Sequence, residues 1–144
     1  MADQASSSIT VNAAPEIVLG IIKDLESYPE WAGSISKVTV VETGADGPAR
    51  ATFSMSQSGV SDEYTLDYTW DADGVSWALV APSKMMKGQK GSYRLAPQGS
   101  GTQVTYLLTL ELKMPMISLM KRKAEKMIID TALKELKKRA EAQL

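Results

Sequence analysis

Apolar and polar residues alternate along the chain between residues 34 and 112, and short turn segments interrupt the alternation. Such alternation predicts strands that have one buried and one solvated face. The turns contain Gly, Pro, Asp or Ser and recur at intervals of roughly 12–15 residues, which is typical of an antiparallel meander. This region therefore predicts six consecutive strands, with a loop at Pro82–Lys87 between the fourth and the fifth. A further strand is predicted for Ser6–Val11, so the expected sheet has seven strands.

Two short helical segments follow the first strand. Pro15 and Glu16 are typical of a first helical turn, so a helix is predicted to begin within residues 12–16. Its apolar face is made by five residues, Ile17, Val18, Ile21, Ile22 and Leu25. A second short helix or turn is predicted at Glu26–Trp31.

The last fifth of the chain, Pro115–Leu144, predicts one long helix, because no Gly or further Pro interrupts it. At 1.5 Å per residue this helix would reach about 40 Å, roughly the width of a small domain. We expect its Met116–Ile128 face to pack against the sheet. Further along, the apolar face shifts to Ala132, Leu133, Leu136 and Ala140.

The predicted order is one strand, two short helices, six strands and a long helix. It indicates an α+β fold in which a curved seven-stranded antiparallel sheet surrounds the C-terminal helix. A single helix, about 10 Å across, cannot fill such a sheet, so we expect a cavity between the two. The length of 144 residues fits one domain over residues 1–144, with residues 1–5 as a disordered tail.

The amino-acid composition argues against several kinds of functional site. The chain has no cysteine and no histidine, and so lacks the residues of disulfides, of most zinc sites and of the commonest general base. We therefore expect neither a metal site nor a cofactor. The N-terminus lacks the pattern of a signal peptide, and no apolar run of about 18 residues is free of charges. These features predict a cytoplasmic protein.

Charge is distributed unevenly. Residues 113–144 contain nine Lys or Arg and four acids, whereas residues 1–112 contain seven and thirteen. A basic helix can bind nucleic acid or an anionic membrane, but it can equally be a solvated face. Pairs at i,i+4 spacing such as Asp130 and Lys134 favour the solvated face. We expect no nucleic-acid partner, and peripheral membrane contact stays open.

The strand positions assigned to the interior are uncharged and rich in aromatic residues. Tyrosine hydroxyls and indole N–H groups are their polar groups, and methionines mark the expected rim.

Burying about 300 Å² of ligand surface gives roughly 7 kcal/mol at ~25 cal/mol/Å², against an association cost of about 4–15 kcal/mol. The ligand should therefore be large and apolar, such as a lipid, a quinone or a polyketide. The predicted ligand-binding residues are Trp31, Phe53, Met55, Tyr64, Tyr68, Trp70, Trp77, Met85, Met86, Tyr93, Tyr106, Met116, Met120 and Met127. Plain core packing is the alternative for each of them.

Five segments, in this order, resemble the START / Bet v 1-like superfamily, and more closely its bacterial polyketide cyclase/dehydrase-like (SRPBCC) members. They are Ile9–Ile17, Tyr28–Trp31, Gly91–Leu95, Gly99–Tyr106 and Lys121–Glu125. The resemblance covers nearly the whole chain and implies the helix-grip fold. Ligand-binding and catalytic proteins share that fold, so function has to be argued from the site.

Three functions are open at this point. The first is binding of a hydrophobic small molecule in the cavity. The second is an enzyme similar to polyketide aromatase/cyclases, and the absence of histidine and of an interior carboxylate or arginine argues against it, because Arg50 and Arg94 alternate onto the wet face. The third is an interaction protein that uses the basic C-terminal helix. Ligand identity, catalysis and oligomeric state are left undecided by the sequence.

Overall fold

A computed structural model describes residues 5–57, 59–114 and 117–142. It contains seven strands, two α-helices and one short 3-10 helix. The strands are β1 (Ala5–Val11), β2 (Ile35–Thr43), β3 (Pro48–Gln57), β4 (Val60–Asp71), β5 (Gly74–Leu79), β6 (Met86–Gln98) and β7 (Gly101–Leu112). The helices are α1 (Pro15–Lys23), the 3-10 helix (Leu25–Glu30) and α2 (Ser118–Glu141).

The strands form one antiparallel sheet in the order β1-β7-β6-β5-β4-β3-β2. Strands β2 to β7 are an uninterrupted meander, and β1 adds to its end by pairing with β7, from Ala5 opposite Leu108 to Val11 opposite Thr102. The register shifts at three places between β2 and β3, and such irregularities bend the strands that carry them. The predicted fold class, a curved seven-stranded sheet with a long C-terminal helix, is confirmed.

The helices cover the two ends of the sheet. Helix α2 packs on β1, β7 and α1, whereas the 3-10 helix packs on β2 at the other edge. Helix α1 starts at Pro15, as predicted, and buries Val18, Ile21 and Ile22. The inner faces of β3 to β6 therefore lie between the two covered ends.

The structure corrects the predicted buried face of the last helix. Met120, Met127 and Ile128 are 54%, 63% and 43% exposed, so the prediction that the Met116–Ile128 face packs against the sheet is wrong for its described residues. The stripe that is buried is Glu125, Ile129, Leu133, Leu136 and Ala140. The later part of the predicted face is confirmed.

A buried acid explains this orientation. The described pairing of β1 with β7 ends at Leu108, and two residues further along, the N–H of Leu110 donates to Oε2 of Glu125 at 2.6 Å. Lys121 Nζ lies 3.8 Å from the same oxygen. Our expectation of no interior carboxylate is therefore wrong. A buried carboxylate is tolerated where a backbone donor and a cation satisfy it.

Three boundaries differ from the sequence prediction. Strand β1 already includes Ala5, while residues 1–4 of the predicted tail lie outside the described residues. The loop predicted at residues 82–87 is shorter, because β6 starts at Met86. Helix α2 starts at Ser118, and Pro115 and Met116 lie outside the described residues.

Candidate functional site

All nine aromatic side chains of the chain belong to one network of ring contacts, which we call the aromatic wall. Ring centroids are separated by 4.7 Å between Tyr93 and Tyr106 and by up to 6.4 Å between Phe53 and Tyr68, the range of favourable aromatic pairs. Its members are Tyr28, Trp31, Phe53, Tyr64, Tyr68, Trp70, Trp77, Tyr93 and Tyr106. The sequence prediction contained all of these except Tyr28.

Strand alternation and register build the wall. Phe53 lies opposite Tyr64, Tyr68 opposite Trp77, and Tyr93 opposite Tyr106, and directly opposed residues are close neighbours on one face of a sheet. Tyr28 and Trp31, at the end of the 3-10 helix, join the wall through the contact between Tyr28 and Phe53, whose centroids are 6.1 Å apart. The wall therefore runs across the inner faces of β3 to β7.

A glycine makes room for the central indole. Gly91 lies opposite Trp77 in the pairing of β5 with β6. A Cβ atom added at Gly91 would overlap the Trp77 ring and lie 2.7 Å from its Nε1. The glycine thus allows the indole to lie flat over β6, in contact with Tyr68, Tyr93 and Tyr106.

Several polar groups of the wall are satisfied within the protein. The Tyr28 hydroxyl donates to the Ile22 carbonyl at 2.6 Å, and Trp70 Nε1 donates to the Pro48 carbonyl at 2.7 Å. Trp77 Nε1 donates to Oε1 of Gln89 at 2.9 Å. These bonds fix ring orientations and leave the ring faces apolar.

Four hydroxyls have no such partner. Within the described part of the chain, the hydroxyls of Tyr64, Tyr68, Tyr93 and Tyr106 make no hydrogen bond to protein. Among the described residues, the side-chain polar atom that is fully shielded from solvent and makes no hydrogen bond is Nε of Arg139. The four tyrosine oxygens also make no hydrogen bond but are not shielded in this way, so each of them borders accessible space. They are the free hydrogen-bonding groups of the wall.

Burial raises the pKa of all four tyrosines above the ordinary value, because the phenolate is poorly solvated there. Neighbouring tyrosines raise the pKa of Tyr68 and Tyr106 further, and for Tyr93 both Tyr28 and the charge of Glu135 on α2 contribute. At physiological pH all four are neutral hydroxyls. They can donate a hydrogen bond to a ligand oxygen, and they are not bases.

An acid and an amide that sequence reasoning missed hold the edge of the wall. Asp62 is 8% exposed and accepts from the Ser83 hydroxyl at 2.6 Å and from the Lys84 and Met85 N–H groups at 3.2 and 3.3 Å. The side-chain amide of Gln89 lies 3.3 Å from the sulfur of Met86, which is buried. The three hydrogen bonds to Asp62 hold in place the loop that carries Met85.

The structure brings only some of the predicted site residues together. Met86 is buried at the edge of the wall, and Gln89 connects it to Trp77, because the Gln89 side chain contacts both the Met86 sulfur and the Trp77 N–H. Trp31 lines a surface cavity of about 240 Å³ together with Arg139, and Met55 lines a separate open groove of about 460 Å³ together with Lys84. Met120 and Met127 lie on the outer face of α2, and Met116 is outside the described residues. Arg50 and Arg94 lie on the outer face of the sheet, as predicted, 2.6 and 2.7 Å from Asp67 and Asp71.

A family model described as "polyketide cyclase / dehydrase and lipid transport" matches residues 3–141. The chain belongs to this family. A search of curated proteins finds no match. Within the described residues, no helix is long and apolar enough to cross a membrane, and no group of three or more Asp and Glu side chains could hold a metal ion.

Solved structures of the same fold cover almost the entire chain. A START superfamily protein from Mycobacterium smegmatis is 22% identical, with a TM-score of 0.91 over 98% of this chain and 99% of that one. The Zhui aromatase/cyclase from a Streptomyces species is 13% identical, with a TM-score of 0.79 over 98% and 94% of the two chains. A STAR-related lipid transfer protein from Xanthomonas axonopodis is 17% identical, with a TM-score of 0.73 over 94% and 84%. These likenesses confirm the helix-grip fold.

Proposed function

We propose that the protein binds a hydrophobic small molecule against the aromatic wall. The family description, which includes lipid transport, supports binding of a hydrophobic ligand as the general class. The observation that carries the proposal is the set of four tyrosines, two buried and two half-buried, whose hydroxyls lack a partner among the described residues. A wall that served only as core would be expected to close over its hydroxyls and pair them, as it does that of Tyr28.

The composition of the wall also supports a particular chemistry for the proposed ligand. Ring faces supply most of the binding energy, since apolar burial contributes about 25 cal/mol/Å². A neutral tyrosine hydroxyl adds a donor, and one such hydrogen bond contributes about 1 kcal/mol net. The proposed ligand is therefore largely apolar and carries at least one oxygen acceptor, as a quinone, a polyketide or an acyl lipid does.

Tryptophan fluorescence tests this proposal, because Trp70 and Trp77 are both part of the wall. Titration with 1,4-naphthoquinone and with oleic acid should quench or shift the emission saturably. Trp77→Ala should change the dissociation constant by more than about fivefold, since it removes the central ring. Thr69→Ala, an exposed position next to Tyr68 on the other face of β4, is the matched control and should leave it unchanged.

Native mass spectrometry of protein purified from its own host provides a second measurement. A co-purifying hydrophobic molecule that is lost in Trp77→Ala supports the proposal. Protein that carries no such molecule, and whose emission responds to neither probe, contradicts it.

Catalysis on a polyketide-like substrate is the second candidate. The words "cyclase / dehydrase" in the family description and the likeness to an aromatase/cyclase favour it. The tyrosine hydroxyls could then polarise a substrate carbonyl by donating to its oxygen. Tyr68→Phe separates the two functions, because it removes one hydroxyl and keeps the ring. A binding protein should keep its affinity to within about tenfold, whereas an enzyme that uses this hydroxyl should lose turnover.

A further inference from the structure

Exposed apolar side chains are concentrated at one place on the molecule. Nine large hydrophobic side chains of the described residues are exposed, and six of them lie between residues 114 and 128. We call these six the helix patch: Met114, Ile117, Leu119, Met120, Met127 and Ile128, with exposed fractions from 43% to 74%. The other three are single valines on β2, on β4 and after β5. Such a concentration of exposed apolar side chains is typical of an interaction site.

The centre of the helix patch faces away from the sheet. Successive residues of a helix are rotated by about 100°, so Met120 and Met127 lie roughly opposite the buried stripe. That stripe is held in place by the bond from Leu110 to Glu125 and by the burial of Ile129, which is 0% exposed. Rotation of α2 to bury the helix patch would break this bond. The patch is therefore a stable outer surface, separate from the aromatic wall.

Basic residues surround the helix patch. Residues 113–126 contain five Lys or Arg and one acid, and this acid is the buried Glu125. Lys123 lies within the patch, and Lys121 and Lys126 border it on its two sides by their helical positions. Part of this charge is compensated, because Lys126 Nζ lies 4.0 Å from Asp130 and Lys121 Nζ lies 3.8 Å from Glu125. The exposed surface still combines apolar side chains with an excess of positive charge.

An apolar helix face bordered by lysines matches the boundary between acyl chains and anionic headgroups. We propose that the N-terminal half of α2 docks on an anionic membrane surface. The helix patch enters the headgroup boundary, and Lys113, Lys121 and Lys123 contact the headgroups. A protein partner would need acids arranged to match these lysines, whereas an anionic bilayer presents negative charge in every orientation.

Vesicle flotation tests the docking. The full chain should float with vesicles of equal parts phosphatidylglycerol and phosphatidylcholine, bind pure phosphatidylcholine much more weakly, and be released as salt is raised. Met120→Gln with Met127→Gln should reduce binding at least tenfold. Lys113→Gln and Lys123→Gln should each reduce binding to the anionic vesicles about fivefold.

Matched controls replace exposed side chains on β2 and β6 instead of on α2. Val41→Gln removes an exposed apolar side chain on β2, which is 59% exposed, and Lys37→Gln with Lys90→Gln removes two exposed lysines. All should bind vesicles as the parent chain does. Equal thermal midpoints for every variant are expected, since the replaced side chains are exposed.

Three outcomes would overturn the docking. One is that the parent chain does not float with anionic vesicles, and another is that the Met120/Met127 variant floats equally well. The third is that the variants change self-association in sedimentation but not flotation, which would assign the patch to a protein interface. The docking does not depend on the aromatic wall. The helix-patch variants should keep tryptophan quenching in vesicle-free buffer, and Trp77→Ala should keep flotation.

Discussion

Gly91 is not itself part of the aromatic wall, but replacing it with alanine should disrupt the centre of the wall. The new Cβ would overlap the Trp77 ring and lie 2.7 Å from Nε1, so the indole has to move. Overpacking of this kind costs about 1–3 kcal/mol, and loss of the Trp77–Gln89 hydrogen bond, which is 2.9 Å long, costs about 0.5–1.5 kcal/mol more. The total of roughly 2–4 kcal/mol corresponds to a fall of about 5–15 °C in the thermal midpoint.

Urea unfolding followed by tryptophan emission and by near-UV circular dichroism measures this effect. The same change at Gly20 is the control, because this exposed position in the middle of α1 has no atom within 4 Å of an added Cβ. Gly20→Ala should stabilise the chain by about 0.5–1 kcal/mol through helix propensity.

A double-mutant cycle of Gly91→Ala with Trp77→Phe isolates the clash. The smaller ring leaves room for the methyl group, so the alanine should cost clearly less in the Trp77→Phe background. If Gly91→Ala left stability and the near-UV spectrum unchanged, the packing of Trp77 over this glycine would be refuted.

Three further predictions test other parts of the structure. Glu125→Ala should lower the free energy of unfolding by about 2 kcal/mol, because the Leu110 N–H loses its acceptor, and Glu125→Gln should lower it less in the same urea titration. Ile129→Asp should cost about 3–5 kcal/mol as a buried unpaired charge, whereas Ile128→Asp should change stability by no more than about 0.5 kcal/mol. The raised pKa of Tyr106 means that the folded chain keeps a proton which the unfolded chain loses above its ordinary pKa of about 10. Stability is therefore complete below that pH and falls as pH rises through the alkaline range, and thermal midpoints from pH 9 to 11 should fall less steeply in Tyr106→Phe.

Strand alternation was sufficient to predict most of the candidate site. Tyr64, Tyr68 and Trp70 share a parity on β4, and the turn residues before and after each strand set the order of the meander. The same parity places Asp62 beside Tyr64, and Gln89 beside Gly91. Both polar residues could have been found by following the alternation instead of the residue type. Tyr28 gave no such signal, since it lies on the 3-10 helix and not on a strand.

The buried face of α2 could not be predicted in the same way. Methionine and isoleucine at three- and four-residue spacing indicated the Met116–Ile128 face, but a helix buries the side that its neighbours can satisfy. Glu125 is buried because Leu110 presents an unpaired N–H beyond the described end of the β1 pairing. This donor arises only from the arrangement of two strands that are about a hundred residues apart in sequence. Residue type and periodicity contain no information about it.

The distribution of burial also separates stability from the proposed binding site. The side chains that are less than 2% exposed include Val11, Ile22, Leu108, Ile129 and Leu136, and no aromatic ring is among them. The best buried ring, that of Phe53, is 3% exposed, and Tyr64, Tyr68 and Trp70 are only half-buried. Aliphatic packing between α1, α2, β1 and β7 thus forms the most completely buried part of the core, while the aromatic rings line a less tightly closed surface. Truncations in the wall should therefore cost less stability per Å² of side chain removed than truncations at Ile129 or Leu108. Such a difference is what a surface adapted to receive a ligand requires, because its own rings must not already be fully packed.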